Sequence, residues 1–370
     1  MRVAYICLDP GIPIGGTKGA SVHVGELVGA LAASGADVLL LAADAESTVE
    51  LPLGVEVVPP LGPVSTAADR AARDRARARS FERRLRHFRP DVVYERLSLY
   101  SAAGPRAAHA LGVPSIVEIN APLLAEAARY RRLEHPEAAE RLERSVLTNA
   151  DLVFAVSPPL VAYAESRGAR RVELFPNAVA PERFAEIPFH EGPLTAVFSG
   201  TLRPWHGVEC IADAWRRLGP SAPHLLVIGD GPGREALEAA GAEITGPLPH
   251  DLVPPLLARA EIGLAPYARD APTYFSPLKV FEYLAAGLAT VVGDIDGLAG
   301  VLARDEAVVI PRGDSAALAH VVARLSTDRP ERERLGQAGR ARVLSEHTWE
   351  QRAERVLAAA AELQPVGALA

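Results

Sequence analysis

The chain is nearly devoid of lysine: Lys18 and Lys279 stand alone among 39 cationic side chains, the rest being arginine. Cysteine is almost as scarce. Cys7 and Cys210 lie far apart, each inside an apolar run, which excludes a disulfide framework and reads as two small core residues in a reducing compartment. No apolar run of about eighteen residues occurs, so no membrane-spanning helix is expected. The opening MRVAYICLDP meets Asp9 and Pro10 too soon for a signal peptide and reads as a first strand. Positive net charge is missing too, and a formal charge of -7 excludes general affinity for nucleic acid. These absences leave a cytoplasmic globular protein as the expectation.

What is present is apolar sequence in short runs: 49% of the 370 residues are hydrophobic, enough to fill more than one core, and the length suits about two domains. Strand-like runs alternate with helical patterns, the signature of parallel βαβ units. The first half places strands at Val3 to Leu8, Asp37 to Ala42, Val55 to Val58, Asp91 to Tyr94, Ser115 to Ile119 and Leu152 to Val156. Helices are expected at Val22 to Ala33, Ala67 to His87, Pro105 to Leu111 and Leu123 to Thr148. An aperiodic stretch from Ala185 to Pro193 then reads as a linker. Beyond it the alternation restarts with strands at Leu194 to Ser199, His224 to Gly229, Ile262 to Ala265 and Ala289 to Val292. Helices fall between them at Val208 to Leu218, Gly233 to Ala240 and Pro277 to Ala286. A final amphipathic helix spans Trp349 to Leu363. Two Rossmann-like α/β domains facing across a cleft are implied, with ligands at the carboxyl ends of the strands.

Both lysines fall where such a loop runs into a helix. A lysine ammonium is a compact charge on a flexible stem, able to reach a phosphate from several angles. Lys18 follows Gly15 and Gly16, whose bare backbone would let amides approach an anion near a helix start, although a glycine-rich turn can be merely structural. SGTLRPWHG, from Ser199 to Gly207, offers Arg203 and His206 to phosphate oxygens; Arg203 could equally be a surface cation and Trp205 a packing lid. GDGPG supplies Gly229 and Gly231 for close backbone approach, as a tight strand-to-helix turn also would. In SPLKVFEYLAAG, Ser276 reads as the N-cap, with Pro277, Leu278 and Lys279 in the first helical turn and Glu282 one turn on. Helix amides and Lys279 suit a diphosphate, and the Glu282 carboxylate suits a ribose diol. The bland alternative is a Lys279–Glu282 surface ion pair of little worth.

The order of GGTKGASVH, FPNAVAPERF, SGTLRPWHG, VIGDGPG, ITGPLP and SPLKVFEYLAAG resembles the retaining glycosyltransferases of family 4 with the GT-B fold, over nearly the whole chain. The resemblance implies an acceptor domain over 1–185, a donor domain over 186–346, and a helix over 347–364 crossing back to the first. It implies a nucleotide-diphosphate sugar of UDP, GDP or TDP type as donor, a carbohydrate, lipid-linked or small-molecule acceptor, and no metal or other cofactor. Carried over by position, Gly15, Gly16, Arg203 and Lys279 would meet the donor diphosphate and Glu282 the ribose, with the backbone around Leu248 receiving the base. Asn177 would shape the chain between the domains. Three positions depart from the family pattern: His206 where a lysine is common, Tyr274 where an acidic residue often holds the sugar, and Asn120 where a histidine often follows the strand. Asn120 is therefore the first choice for a side chain at the reacting centre and Glu118 the second. Glu118 could equally pair with Arg96 as a buried carboxylate.

Residues 69–89 hold nine arginines against Asp69, Asp74 and Glu82. A solvated helix face is the favoured reading; peripheral contact with anionic lipid, or reception of an acidic acceptor, is the other. Two competing functions also suit the motifs: a sugar-nucleotide epimerase of the same fold, and a nucleotide-sugar binding protein without catalysis.

Overall fold

The computed structural model describes residues 1–46, 55–57, 66–130, 133, 135–184, 192–303 and 305–363. The chain forms two compact units. The first comprises Met1–Gly16, Ala20–Pro176 and the residues from Glu350 on; the second comprises Thr17–Gly19 and Asn177–Trp349. Most of the linker expected at Ala185 to Pro193 lies outside the described residues. The unit boundary falls earlier, at Pro176, because Asn177 is tied into the second unit. Its backbone amide donates to Ser276 Oγ at 3.0 Å and its side-chain amide to the Ser276 carbonyl.

In the first unit, strands β1 (Arg2–Cys7), β2 (Asp37–Ala42), β3 (Val55–Val57), β4 (Val92–Arg96), β5 (Ser115–Ile119), β6 (Leu152–Ala155) and β7 (Val172–Leu174) form one parallel sheet. Its order is β3-β2-β1-β4-β5-β6-β7. The central strands are buried along their length, as a parallel sheet covered on both faces requires; β6 is wholly apolar, whereas β4 ends in Glu95 and Arg96 and β5 holds Glu118. The covering helices are α1 (Gly19–Ala33), α2 (Ala67–Phe88), α3 (Ala103–Leu111), α4 (Leu123–Tyr130), α5 (Pro136–Asn149) and α6 (Pro158–Ser166). The single helix expected from Leu123 to Thr148 is thus two, with His135 left-handed (φ 48°) immediately before Pro136, which starts α5. β7 and α6 had no clear sequence signal.

Helix α2 carries the arginine-rich stretch. Ala78, Phe81 and Leu85 form its buried face, and Asp74 anchors it by accepting from the Ala102 amide at 3.0 Å and pairing with Arg106. Arg73, Arg75, Arg79, Arg83 and Arg86 face solvent; the side chains of 67–71 lie outside the described residues.

In the second unit, β8 (Thr195–Ser199), β9 (His224–Ile228), β10 (Glu243–Ile244), β11 (Ile262–Ala265), β12 (Ala289–Gly293) and β13 (Val308–Ile310) make a parallel sheet of order β10-β9-β8-β11-β12-β13. Period-two alternation divides it into two faces: Val197, Leu226, Ile228 and Val292 enter one core cluster, and Ala196, Phe198, Val227 and Val291 the other. Helices α7 (Val208–Leu218), α8 (Arg234–Ala239), α9 (Val253–Leu257), α10 (Leu278–Ala285), α11 (Ser315–Thr327) and α12 (Arg329–Glu346) cover these faces. Asp314 and Asp328 cap α11 and α12 by accepting from Ala317 and Glu331 amides at 2.9 and 3.0 Å. The last helix, α13 (Trp349–Glu362), is held to the first unit along β7: Arg352 Nε donates to the Pro176 carbonyl at 2.7 Å, and Arg355 pairs with Glu173 at 2.7 Å. Among the described residues no helix is long and apolar enough to cross a membrane.

Candidate functional site

In each sheet the strand order reverses once, between β1 and β4 in the first unit and between β8 and β11 in the second. At such a switch point the loops leaving neighbouring strands turn opposite ways and open a crevice at the carboxyl edge. GGTKGASVH follows β1, SGTLRPWHG follows β8 and SPLKVFEYLAAG follows β11, so these three motifs leave switch-point strands.

In the second unit the loops after β8 and β9 are locked together by their backbones. Gly200 N–H donates to the Ile228 carbonyl at 2.8 Å, Leu202 N–H to Asp230 at 3.0 Å, and Gly233 N–H to Leu202 at 2.9 Å. This approach requires glycine: a Cβ at Gly229 (φ 137°) would overlap the Gly200 carbonyl, and one at Gly231 (φ 150°) would lie 2.9 Å from the Leu202 nitrogen. A bridge from Gly229 to Gly246 brings the loop of Leu248 alongside, with Leu248 half-buried against the core. The glycines therefore build the floor of the crevice.

Lys279 rises beside that floor from the first turn of α10. Its Nζ is buried, has no hydrogen-bond partner, and lies 4.0 Å from the centre of the Phe198 ring. It crowds Gly200 so closely that a Cβ there would come within 2.9 Å of it. Burial lowers its pKa to about 7, with the Glu282 charge acting weakly in the other direction. A cation stripped of water and given no acceptor is costly, and an anion placed beside it would offset that cost. α10 begins at Leu278 with Pro277 at the N-cap position and no side-chain cap. Ser276 is therefore not the cap expected from its spacing, because its hydroxyl is taken by the Asn177 amide. The positive end of α10 is left unmasked beside Lys279.

The other predicted residues divide. Arg203 is exposed, its guanidinium 5.7 Å from the Trp205 ring centre, free to swing onto an anion. His206 donates from Nδ1 to the Thr201 carbonyl at 2.5 Å, and burial, with Lys279 and Arg203 adding to it, lowers its pKa to about 3. It is neutral at pH 7 and presents Nε2 as an acceptor, so it clamps no phosphate by charge. Glu282 is buried but makes no ion pair with Lys279; it accepts from His250 Nε2 at 2.5 Å. His250 was not anticipated, since its partner lies 32 residues on and only the fold brings them together. Tyr274 packs on Phe275 with ring centres 5.0 Å apart, and Phe275 stacks on the buried Tyr267.

In the first unit Gly15 is left-handed (φ 78°) and Gly16 is crowded by Ser21 Oγ and the Pro13 carbonyl; Lys18, grouped with the second unit, is exposed. Glu118 is fully buried and saturated. It accepts from His23 Nε2 at 3.0 Å, from Arg96 at 3.0 Å, and from the Tyr94 hydroxyl. Burial raises its pKa, but His23, Arg96 and Tyr94 outweigh that and bring it to about 2. The pairing with Arg96 weighed from sequence is present, because the two residues are register partners on β4 and β5. Asn120, two residues on, differs: its Oδ1 is buried with no hydrogen-bond partner. Among the described residues no group of three or more His, Cys, Asp or Glu is arranged to hold a metal ion.

Comparison with known proteins bears on the family and the fold. A family model described as "Glycosyl transferase 4-like domain" matches residues 18–178, and one described as "Glycosyl transferase-like" matches 206–358. The chain is 27% identical over 280 residues to the 2-deoxystreptamine N-acetyl-D-glucosaminyltransferase of Streptomyces fradiae, spanning 66% of this chain and 64% of the relative. It is 29% identical over 232 residues to the 2-deoxystreptamine glucosyltransferase of Streptomyces kanamyceticus, spanning 52% and 58%. The matched part is thus less than two thirds of either curated relative. In fold it is similar to the sucrose-phosphate synthase of Thermosynechococcus elongatus (TM-score 0.73, 18% identity, 97% and 98% of the two chains). It is likewise similar to Anabaena HepE solved with UDP and glucose (TM-score 0.72, 15% identity, 98% and 100%).

Proposed function

The chain belongs to the family-4 type of glycosyltransferases with the GT-B fold, and we propose that it moves a sugar from a nucleoside-diphosphate sugar to an acceptor hydroxyl, retaining configuration and needing no metal. The observation that carries this reading is the buried, partnerless Lys279 ammonium beside the uncapped start of α10. Glycosyl transfer passes through an oxocarbenium-like state in which the leaving diphosphate gathers negative charge. Lys279 and the first amides of α10 supply fixed positive potential for that charge and Arg203 swings onto it, the role a divalent cation would otherwise fill. The leaving diphosphate carries more negative charge in the transition state than in the bound donor, so these groups hold it more strongly there.

Glu282 takes the ribose hydroxyls, and the backbone around Leu248 receives the base. A donor of UDP type is supported by the UDP bound to Anabaena HepE. The two Streptomyces relatives, named for transfer to 2-deoxystreptamine, favour a small-molecule acceptor over a polysaccharide or a lipid. In the first unit Asn120 meets the acceptor or the reacting sugar, since its carbonyl oxygen still lacks a donor, whereas Glu118 holds the scaffold beneath it. Isothermal titration with UDP, GDP, TDP and ADP identifies the base, and transfer from the matching sugar nucleotide is then measured in EDTA. Retained turnover in EDTA is the expected result; complete loss restored by manganese overturns metal independence.

A further inference from the structure

The Glu282 carboxylate, assigned above to the donor ribose, is not free to turn. Its Oε1 accepts from His250 Nε2 at 2.5 Å, while no protein donor reaches Oε2 among the described residues. Both groups are largely buried, with side-chain exposures of 22% for His250 and 10% for Glu282. His250 opens a short 3-10 turn, His250–Leu252, that follows directly on the loop of Leu248, and it is therefore carried by the segment that receives the base. Glu282 sits on α10, one turn beyond Lys279. A carboxylate held by one oxygen keeps the plane of the group fixed and leaves the lone pairs of the other for a ligand. An unrestrained glutamate would lose rotamer freedom on binding, and the histidine removes that cost beforehand.

We propose that His250 is a positioning residue that locks the Glu282 carboxylate onto the 2′- and 3′-hydroxyls of the donor, making the site selective for ribonucleoside over 2′-deoxyribonucleoside diphosphates. The proposal rests on the assignment of Glu282 to the ribose. It also separates the donors chemically: a uridine, guanosine or adenosine diphosphate offers the full diol, and a thymidine diphosphate offers one hydroxyl of it.

The test is isothermal titration of the whole chain with whichever of UDP, GDP and ADP binds tightest, and with its 2′-deoxy counterpart. The native protein is expected to bind the ribonucleotide at least about fivefold more tightly, the worth of one hydrogen bond. Glu282→Gln should abolish that preference. His250→Ala should reduce it to less than about twofold at unchanged thermal stability, and His250→Gln, which returns a donor near the position of Nε2, should restore most of it. If Glu282→Gln removes the preference and His250→Ala leaves it intact, the positioning role is overturned while the ribose assignment stands. If neither variant changes it, the assignment of Glu282 fails. Absence of any preference in the native protein, or binding of none of the three ribonucleotides, overturns the proposal.

Discussion

Each unit buries a charge at the carboxyl edge of its sheet, and the two are treated in opposite ways. Glu118 in the first unit is surrounded by His23, Arg96 and Tyr94, so that its ionised form is held in place and its pKa falls to about 2. Lys279 in the second unit meets an aromatic ring and a glycine, no acceptor, and its pKa falls to about 7. A completed network rigidifies a scaffold, whereas an incomplete one stores a deficit that a ligand can fill. Burial alone therefore does not tell the two charges apart; the presence or absence of a partner does.

The largest effect should come from breaking the completed network. Glu118→Ala leaves the Arg96 guanidinium buried without its carboxylate, and a loss of about 3–5 kcal/mol in urea unfolding is expected. A stable Glu118→Ala protein that binds donor yet transfers nothing would break the contrast, by making Glu118 a reacting group. Lys279→Met should do the reverse. It removes a desolvated amine whose depressed pKa costs stability at every pH below the unfolded value of about 10.5. Its Tm should hold or rise, while affinity for the nucleoside-diphosphate sugar falls by about 2 kcal/mol, roughly thirtyfold, in titration.

The pH dependence sharpens the same point. A sugar nucleotide's diphosphate diester keeps its charge across neutrality, so its affinity reports on the protein. As pH rises through about 7 the empty site's Lys279 loses its proton, and affinity should fall, by roughly tenfold between about pH 6 and 8. Lys279→Arg stays charged and should flatten the profile. His206, with its pKa near 3, contributes nothing in that range.

The last comparison concerns a second buried glutamate of the first unit. Glu95 accepts from the Gly104 amide at 2.9 Å through Oε2, but Oε1 has no partner. Burial, with the Asp74 charge adding to it, raises its pKa to about 8. A carboxyl raised in the fold is stabilising in its neutral form: that contribution is whole below the unfolded pKa and is lost as pH rises through the folded one. Glu95→Gln should therefore flatten a decline in stability of at most about 1.4 kcal/mol per pH unit between about pH 5 and 8.

The alternation of apolar runs marked the main strands of both sheets, because parallel strands buried on both faces are mostly hydrophobic. What escaped was either short, as β7 with three residues, half-buried or exposed, and β10 with two, or lay beyond the last expected strand, as β13, α11 and α12. At the site, Lys279, Gly229 and Gly231 were legible because loop glycines and a lysine at a helix start are local patterns. His250 and the cap lost by Ser276 were not, since each depends on a partner distant in sequence.

The sequence by itself determined the chain's class, its two α/β halves, and the loops in which chemistry would sit, all of which follow from periodicity and turn composition. Only the tertiary structure decided which buried charges are satisfied. Glu118 and Lys279 both lie close to the carboxyl end of an apolar strand or the start of a helix, and nothing local tells them apart. Desolvation and pairing are set by neighbours that the fold brings from far along the chain, and those neighbours leave the lysine without an acceptor.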